Sequence, residues 1–283
     1  MTSELPPLRN VIARHDLGAK KALGQHFLLD LNITRKIARA AAIAPGELVI
    51  EIGPGPGGLT RALLEAGADV IAIERDARCM AALEELAEAY PGKLALVEDD
   101  ALRVEESTLT RVRPVKIVAN LPYNISTELL IKWLRANHGG EAPLWSLMAL
   151  MFQKEVADRI LAAPGSKAYG RLSVITQAAS RPARAFDLPA RAFTPPPKVD
   201  SSVLIFTPAD DPLADIRALE TVTQAAFGQR RKMLRSSLKP AFADRLPDAL
   251  ASVGIPETAR AEEVTIAQYK ALAQAFRTAN SPR

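Results

Sequence analysis

Cysteine is almost absent from this chain: Cys79 is the only one in 283 residues. That excludes an intrachain disulfide and any cysteine-built metal site, and with them the stapled scaffolds of small secreted domains. Histidine is nearly as scarce, and His15, His26 and His138 lie far apart, without metal-ligand spacing. No metal is expected. Long apolar runs are missing too; the longest, Leu144 to Phe152, is under half of the roughly 20 residues a membrane-spanning helix needs. The basic residues near the N-terminus are followed by no apolar stretch and are interrupted by Glu4 and Asp16, so no targeting leader is expected. A reducing cytoplasm without a membrane partner is the setting these shortages imply. What is present is a composition of 48% hydrophobic and 24% charged residues, enough for one large core and a smaller one.

The net charge of +4 permits an acidic partner without requiring one. Its distribution says more. Lys20 and Lys21 adjoin Arg14, while Arg230, Arg231, Lys232, Arg235 and Lys239 crowd one stretch near the C-terminus. Basic residues gathered at two places point to nucleic acid more than a uniformly basic surface would, although either cluster alone could be a solvated helix face.

From Glu47 to Phe206 short β-rich runs alternate with amphipathic stretches. Strands are predicted at Leu48 to Ile52, Asp69 to Glu74, Leu94 to Val97, Val115 to Ala119, Leu144 to Met151 and Val203 to Phe206. A helix follows from Ser126, a predicted N-cap, with Leu129, Leu130, Trp133 and Leu134 on one face. Such alternation implies an α/β fold with a parallel, doubly wound sheet, whose ligands bind outside the carboxyl ends of the strands. The segment Thr207 to Asp215 reads as a linker, and the pattern beyond it is wholly helical. There Thr265 and Gln268 form a capping box ahead of the stripe Ile266, Tyr269, Leu272 and Phe276. The division expected is a basic arm over 1–28, an α/β domain over 29–206 and a helical domain over 207–283.

The first strand runs into Gly53-Pro54-Gly55-Pro56-Gly57-Gly58, which satisfies G-x-G-x-x-G, and Glu74 follows about where a dinucleotide fold places its ribose-binding acid. A pyrophosphate, however, needs backbone N–H donors from the loop, and Pro54 and Pro56 each remove one. Glu51, just before the loop, is expected to add negative charge there. S-adenosylmethionine, which has no phosphate and carries a sulfonium cation, suits such a loop better. Glu74 is positioned to accept hydrogen bonds from both ribose hydroxyls, and one of Glu98, Asp99 and Asp100 to accept from the adenine amine.

The strand Val115 to Ala119 ends in Asn120-Leu121-Pro122-Tyr123. The exocyclic nitrogen of adenine is a poor nucleophile because its lone pair is delocalised into the ring. Acceptors aimed at its two N–H groups would localise that pair. The Asn120 side-chain oxygen and the carbonyl of Leu121 or Pro122 are candidates, and Tyr123 offers a flat face for an extruded base. Alignment of nitrogen, methyl carbon and sulfur then supplies most of the rate, with no general base required. Phe193, ahead of Thr194-Pro195-Pro196-Pro197-Lys198-Val199, is a candidate cover for the other face of that base.

Several ordered stretches together resemble the bacterial 16S ribosomal RNA adenine dimethyltransferases over nearly the whole chain. They are Lys20-Lys21-Ala22-Leu23-Gly24-Gln25-His26-Phe27-Leu28, Glu51-Ile52-Gly53-Pro54-Gly55, Asn120 to Ser126, Gln153-Lys154-Glu155-Val156, Phe193 to Val199 and Phe227-Gly228-Gln229-Arg230-Arg231-Lys232. The resemblance implies a Rossmann-like class I methyltransferase sheet with a small all-helical C-terminal domain. It implies dimethylation of two adjacent adenosines in the 3′-terminal hairpin of 16S rRNA on an immature small ribosomal subunit. It implies cofactor contacts at His26, Leu28, Gly53, Glu74, Asp100 and Asn120; the basic clusters place the expected RNA contacts at Lys20, Lys21, Arg230, Arg231 and Lys232, and the working form is expected to be a monomer. One departure is His26, where the family usually has asparagine.

Other functions predict other behaviour. A sister branch methylates 23S rRNA and confers macrolide resistance, typically with isoleucine at the position of Leu121. A DNA adenine methyltransferase would act on duplex DNA. A dehydrogenase would bind nicotinamide and leave Asn120 to Tyr123 without a role. A ribosome-assembly factor that acts chiefly by binding would use the basic clusters alone.

Overall fold

The structure, a computed structural model, describes residues 5–19, 25–138, 142–211, 213 and 215–280. Seven strands form its main sheet: β1 (Leu48–Ile52), β2 (Asp69–Glu74), β3 (Leu94–Glu98), β4 (Val115–Ala119), β5 (Trp145–Gln153), β6 (Ser180–Leu188) and β7 (Ser201–Pro208). Their spatial order is β3-β2-β1-β4-β5-β7-β6. The pairs from β3 through to β5 are parallel, and β7 lies antiparallel to β5. The chain builds outward from β1 to β3 on one side and then crosses to β4 on the other, so the strand order reverses between β1 and β4. Central strands such as β4 are buried along their whole length, as parallel strands covered on both faces must be.

The chain divides into two compact units. The first comprises 1–133, 142–157 and 183–206; the second comprises 134–141, 158–182 and 207–283. In the first, helices Leu31–Ala40 and Ala77–Ala89 start at side-chain caps. Asp30 accepts from the Asn32 N–H at 2.8 Å and Asp76 from the Arg78 N–H. In the second, helices Arg171–Ala179, Ile216–Gly228 and Ile266–Asn280 pack on one another around the rings of Tyr169, Phe227 and Tyr269. The capping box forms as the spacing predicts: the Gln268 N–H donates to Thr265 Oγ1, and the Thr265 N–H to Gln268 Oε1.

Three local readings are corrected. The sequence pattern does not predict strand β6, because Arg181, Pro182, Arg184 and Asp187 break any apolar run. At a sheet edge only alternate residues need burial, and its pattern alternates accordingly. Ser126 is the first residue of helix Ser126–Ala136 rather than its cap, and its hydroxyl turns back to the Tyr123 carbonyl at 3.1 Å. The segment ahead of residue 28 is also more than a charged arm. It includes helix Leu8–Arg14, and Val11 and Leu17 pack against Cys79, Ala82 and Leu83.

Candidate active site

Loops from the carboxyl ends of β1, β2, β3 and β4 open into one cleft, where the strand order reverses. Its walls include His26, Gly53, Gly55, Glu74, Asp99, Asp100, Asn120, Leu121, Pro122 and Tyr123. Glu74 ends β2 at its floor, nearly buried, with one oxygen accepting the Gly55 N–H at 2.9 Å and the other the Asp76 N–H at 2.8 Å. Glu74 lines the cleft, and a carboxylate offers about four acceptor sites, more than these donors use. Burial raises the Glu74 pKa, and the backbone donors oppose that rise. Beyond β3, Asp100 caps a turn by accepting from the Leu102 N–H at 3.0 Å, and it pairs with Arg75 at 3.0 Å.

The segment before helix Leu31–Ala40 closes the other side of the cleft. Phe27 and Leu28 pair with Thr194 and Phe193 in a two-stranded ribbon. A side chain at Gly55, where φ is +55°, would bring its Cβ to 3.0 Å from the Phe27 ring. A Cβ at Gly58 would come to 2.6 Å from the Leu28 carbonyl oxygen. The glycines are therefore required by this packed segment, which passes directly over the loop. Gln25 donates to Asp76 at 3.2 Å, and Asp76 is held down to a pKa of about 2, chiefly by the Arg78 guanidinium.

In the Asn120 to Tyr123 loop, Asn120 donates its side-chain N–H to the His26 carbonyl at 3.0 Å. That bond orients the amide and leaves Oδ1 as its acceptor. The Pro122 carbonyl accepts from the Ile125 N–H at 3.2 Å, closing a turn, whereas no donor meets the Leu121 carbonyl among the described residues. Of the two carbonyls considered, Leu121's is the free one. The Tyr123 hydroxyl bonds Ser201 Oγ at 2.7 Å, and burial raises its pKa. The His26 ring stacks on Tyr123 with centroids 5.4 Å apart and an interplanar angle of 29°. Its Nδ1 meets the Pro195 carbonyl at 2.8 Å, so Nδ1 is the protonated nitrogen there.

Not every residue expected at the site faces it. Phe193 is 2% exposed and packs into the main core beside Leu28, because its pairing with Leu28 turns the ring inward; it presents no face to a base. The Leu28 side chain is in the same core, so only its backbone borders the loop. Glu51 does not supply the expected negative charge. It is 1% exposed, and neither carboxylate oxygen has a hydrogen bond of ordinary geometry among the described residues. Burial pushes its pKa up to about 8, Thr60 opposing in part and Glu74 adding to the rise, so at neutral pH it is mostly a neutral acid. Lys20 and Lys21 lie outside the described residues. In the second unit, Arg231 and Lys232 are exposed, while Arg230 pairs with Glu262 at 3.1 Å and donates to the Lys167 carbonyl at 3.0 Å. Gln25 and Arg75 also line the cleft. Their polar type alone does not distinguish them from surface residues.

A family model described as ribosomal RNA adenine dimethylase matches residues 17–278. A protein of Azorhizobium caulinodans named ribosomal RNA small subunit methyltransferase A is 54% identical, over 96% of this chain and 94% of its own length. Among solved structures, a dimethyladenosine transferase from Plasmodium falciparum is similar with a TM-score of 0.74 at 25% identity, covering 90% of this chain and 98% of that one. The 23S rRNA methyltransferase ErmE is similar with a TM-score of 0.66 at 26% identity, covering 88% of this chain and 99% of that one.

Proposed function

Because this chain belongs to the ribosomal RNA adenine dimethylase family, we propose that it dimethylates the N6 amines of two adjacent adenosines in the 3′-terminal hairpin of 16S rRNA. Its substrate is the immature small ribosomal subunit, its methyl donor S-adenosylmethionine, its setting the cytoplasm and its working form a monomer. The observation that carries this reading is the junction of two half-sites in one cleft, a buried Glu74 beside a proline-interrupted glycine loop and an Asn120 whose amide is already oriented.

The residues present fit the cofactor. Glu74 retains acceptor sites for two ribose hydroxyls, and Asp99 and Asp100 line the end suited to an adenine amine. The loop lacks two of the donors a pyrophosphate would need, at Pro54 and Pro56. When bound, S-adenosylmethionine supplies an electrophilic methyl group on a sulfonium. The protein's part is to place the nucleophile. Asn120 Oδ1 and the Leu121 carbonyl accept the two N–H groups of the adenine amine, and Tyr123 supports the base. Both acceptors are fixed before substrate arrives, so alignment costs little when it does. The amine's proton leaves to solvent after transfer.

The test is transfer of labelled methyl from S-adenosylmethionine to undermethylated small subunits, with Asn120→Ala beside the wild type. Wild-type transfer landing on paired adenosines near the 16S 3′ end, reduced by about 10²–10³-fold in the variant, is the expected result. Transfer to 23S rRNA instead would keep the chemistry and overturn the substrate. Subunit maturation that proceeds normally with the inactive variant would move the weight to binding.

A further inference from the structure

We propose that Lys132 is a positioning residue that locks the cofactor-facing turn after β3 to the helix carrying the catalytic loop. The inference rests on the cleft being an S-adenosylmethionine site. The turn spans residues 99–104, and four of its amides are satisfied from within. The Asp100 N–H donates to Asp99 Oδ1 at 2.6 Å, the Leu102 N–H to Asp100 Oδ1 at 3.0 Å, and the Arg103 and Val104 N–H groups to the Asp100 carbonyl at 2.7 and 3.1 Å. What the turn lacks is a donor for the carbonyls it points the other way. Lys132 Nζ supplies it, donating to the Ala101 carbonyl at 2.7 Å, to the Val104 carbonyl, and to Glu106 Oε1 at 2.8 Å.

An ammonium has three N–H donors, and all three are thereby used. Glu106 is 3% exposed and is held in place by a second donor, Trp133 Nε1, at 2.7 Å. A lysine that served only as a solvated helix residue would not be drawn into three acceptors from a neighbouring segment. Lys132 belongs to helix Ser126–Ala136, which begins where the catalytic loop ends, and Leu129, Leu130 and Trp133 are fully buried, so the helix cannot slide. Asp100 and Ala101 line the same cleft as Asn120 and Tyr123. The ammonium thus sets the distance between the turn that receives the adenosine half of the cofactor and the loop that receives the base.

Removing the ammonium leaves the Ala101 and Val104 carbonyls without their donor and loosens the turn. The decisive measurement is calorimetric binding of S-adenosylhomocysteine and of 5′-methylthioadenosine, which lacks the amino-acid half, to wild type, Lys132→Met and Lys132→Arg. We expect Lys132→Met to weaken both ligands by the same factor, on the order of tenfold, with Lys132→Arg recovering most of it. Unchanged affinities, a loss confined to S-adenosylhomocysteine, or an arginine variant as weak as the methionine one would each overturn the proposal. If Lys132→Met does not fold, Glu106→Gln keeps an acceptor for Trp133 while loosening the lysine. Faster hydrogen exchange at the Leu102, Arg103 and Val104 amides in that variant is then expected, and unchanged exchange overturns the lock. A wild type that binds neither ligand would instead remove the cofactor reading beneath it.

Discussion

Glu51 and Glu74 are both buried carboxylates on neighbouring strands, and hydrogen bonding separates them: Glu74 accepts from the Gly55 and Asp76 N–H groups at close range, whereas Glu51 has no hydrogen bond of ordinary geometry among the described residues and only Thr60 to offset its burial. For Glu51 the unfolded chain titrates near 4.5 and the folded chain near 8, so between these values the folded state holds the extra proton. Its contribution to stability is complete below the lower value and is lost as pH rises through the upper one. Replacement by glutamine of equal size removes the titration. Urea unfolding at pH 5.5 and 8.5 should show wild type losing stability relative to Glu51→Gln, and parallel behaviour would mean that the carboxylate ionises freely. His26 makes a second prediction at this scale. His26→Phe keeps a ring against Tyr123 and His26→Ala does not, while both keep the backbone carbonyl that orients Asn120. Methyl transfer should fall several-fold further in the alanine variant, the weight of an aromatic pair of about 0.5–1.5 kcal/mol. Equal losses in both variants would make the bond to the Pro195 carbonyl the effective contact.

Among the elements, the glycine loop is shaped as much by the segment Gln25–Leu28 as by any ligand. Gly58→Ala would drive a methyl group into the Leu28 carbonyl, a backbone atom that cannot rotate away. The expected cost is about 1–3 kcal/mol in denaturant unfolding, with weaker cofactor binding, since the same segment carries His26 into the cleft. A fully stable variant would show that the segment lifts off easily. The run Leu48 to Ile52 followed by glycines was legible as strand and loop because local composition dictates both. The packed segment was not, because Phe27 and Gly55 are far apart in sequence and their contact follows only from the ribbon with Phe193 and Thr194.

For the molecule as a whole, the question is how its excess positive charge meets RNA. Arg231 and Lys232 are exposed, whereas Arg230 is tied to Glu262 and Lys167. Alanine at both Arg231 and Lys232 should reduce the salt dependence of RNA binding by roughly 0.7–0.9 log units per lost phosphate contact, and Arg230→Ala by less. Titration of a small-subunit RNA fragment at several salt concentrations measures this; an unchanged slope removes the pair from the interface. The sequence by itself determined the α/β alternation, the proline-interrupted glycine loop, the acid at the end of β2 and the Asn120 to Tyr123 loop. Each is written in adjacent residues whose conformational and hydrogen-bonding preferences act locally. Only the tertiary structure decided that Phe193 faces the core, that Glu51 is a neutral buried acid, that Leu121 rather than Pro122 offers the free carbonyl, and that Lys132 reaches the turn after β3. Those outcomes depend on burial and on partners brought together from distant parts of the chain, and a residue's type does not encode which neighbours will desolvate it or satisfy its hydrogen bonds.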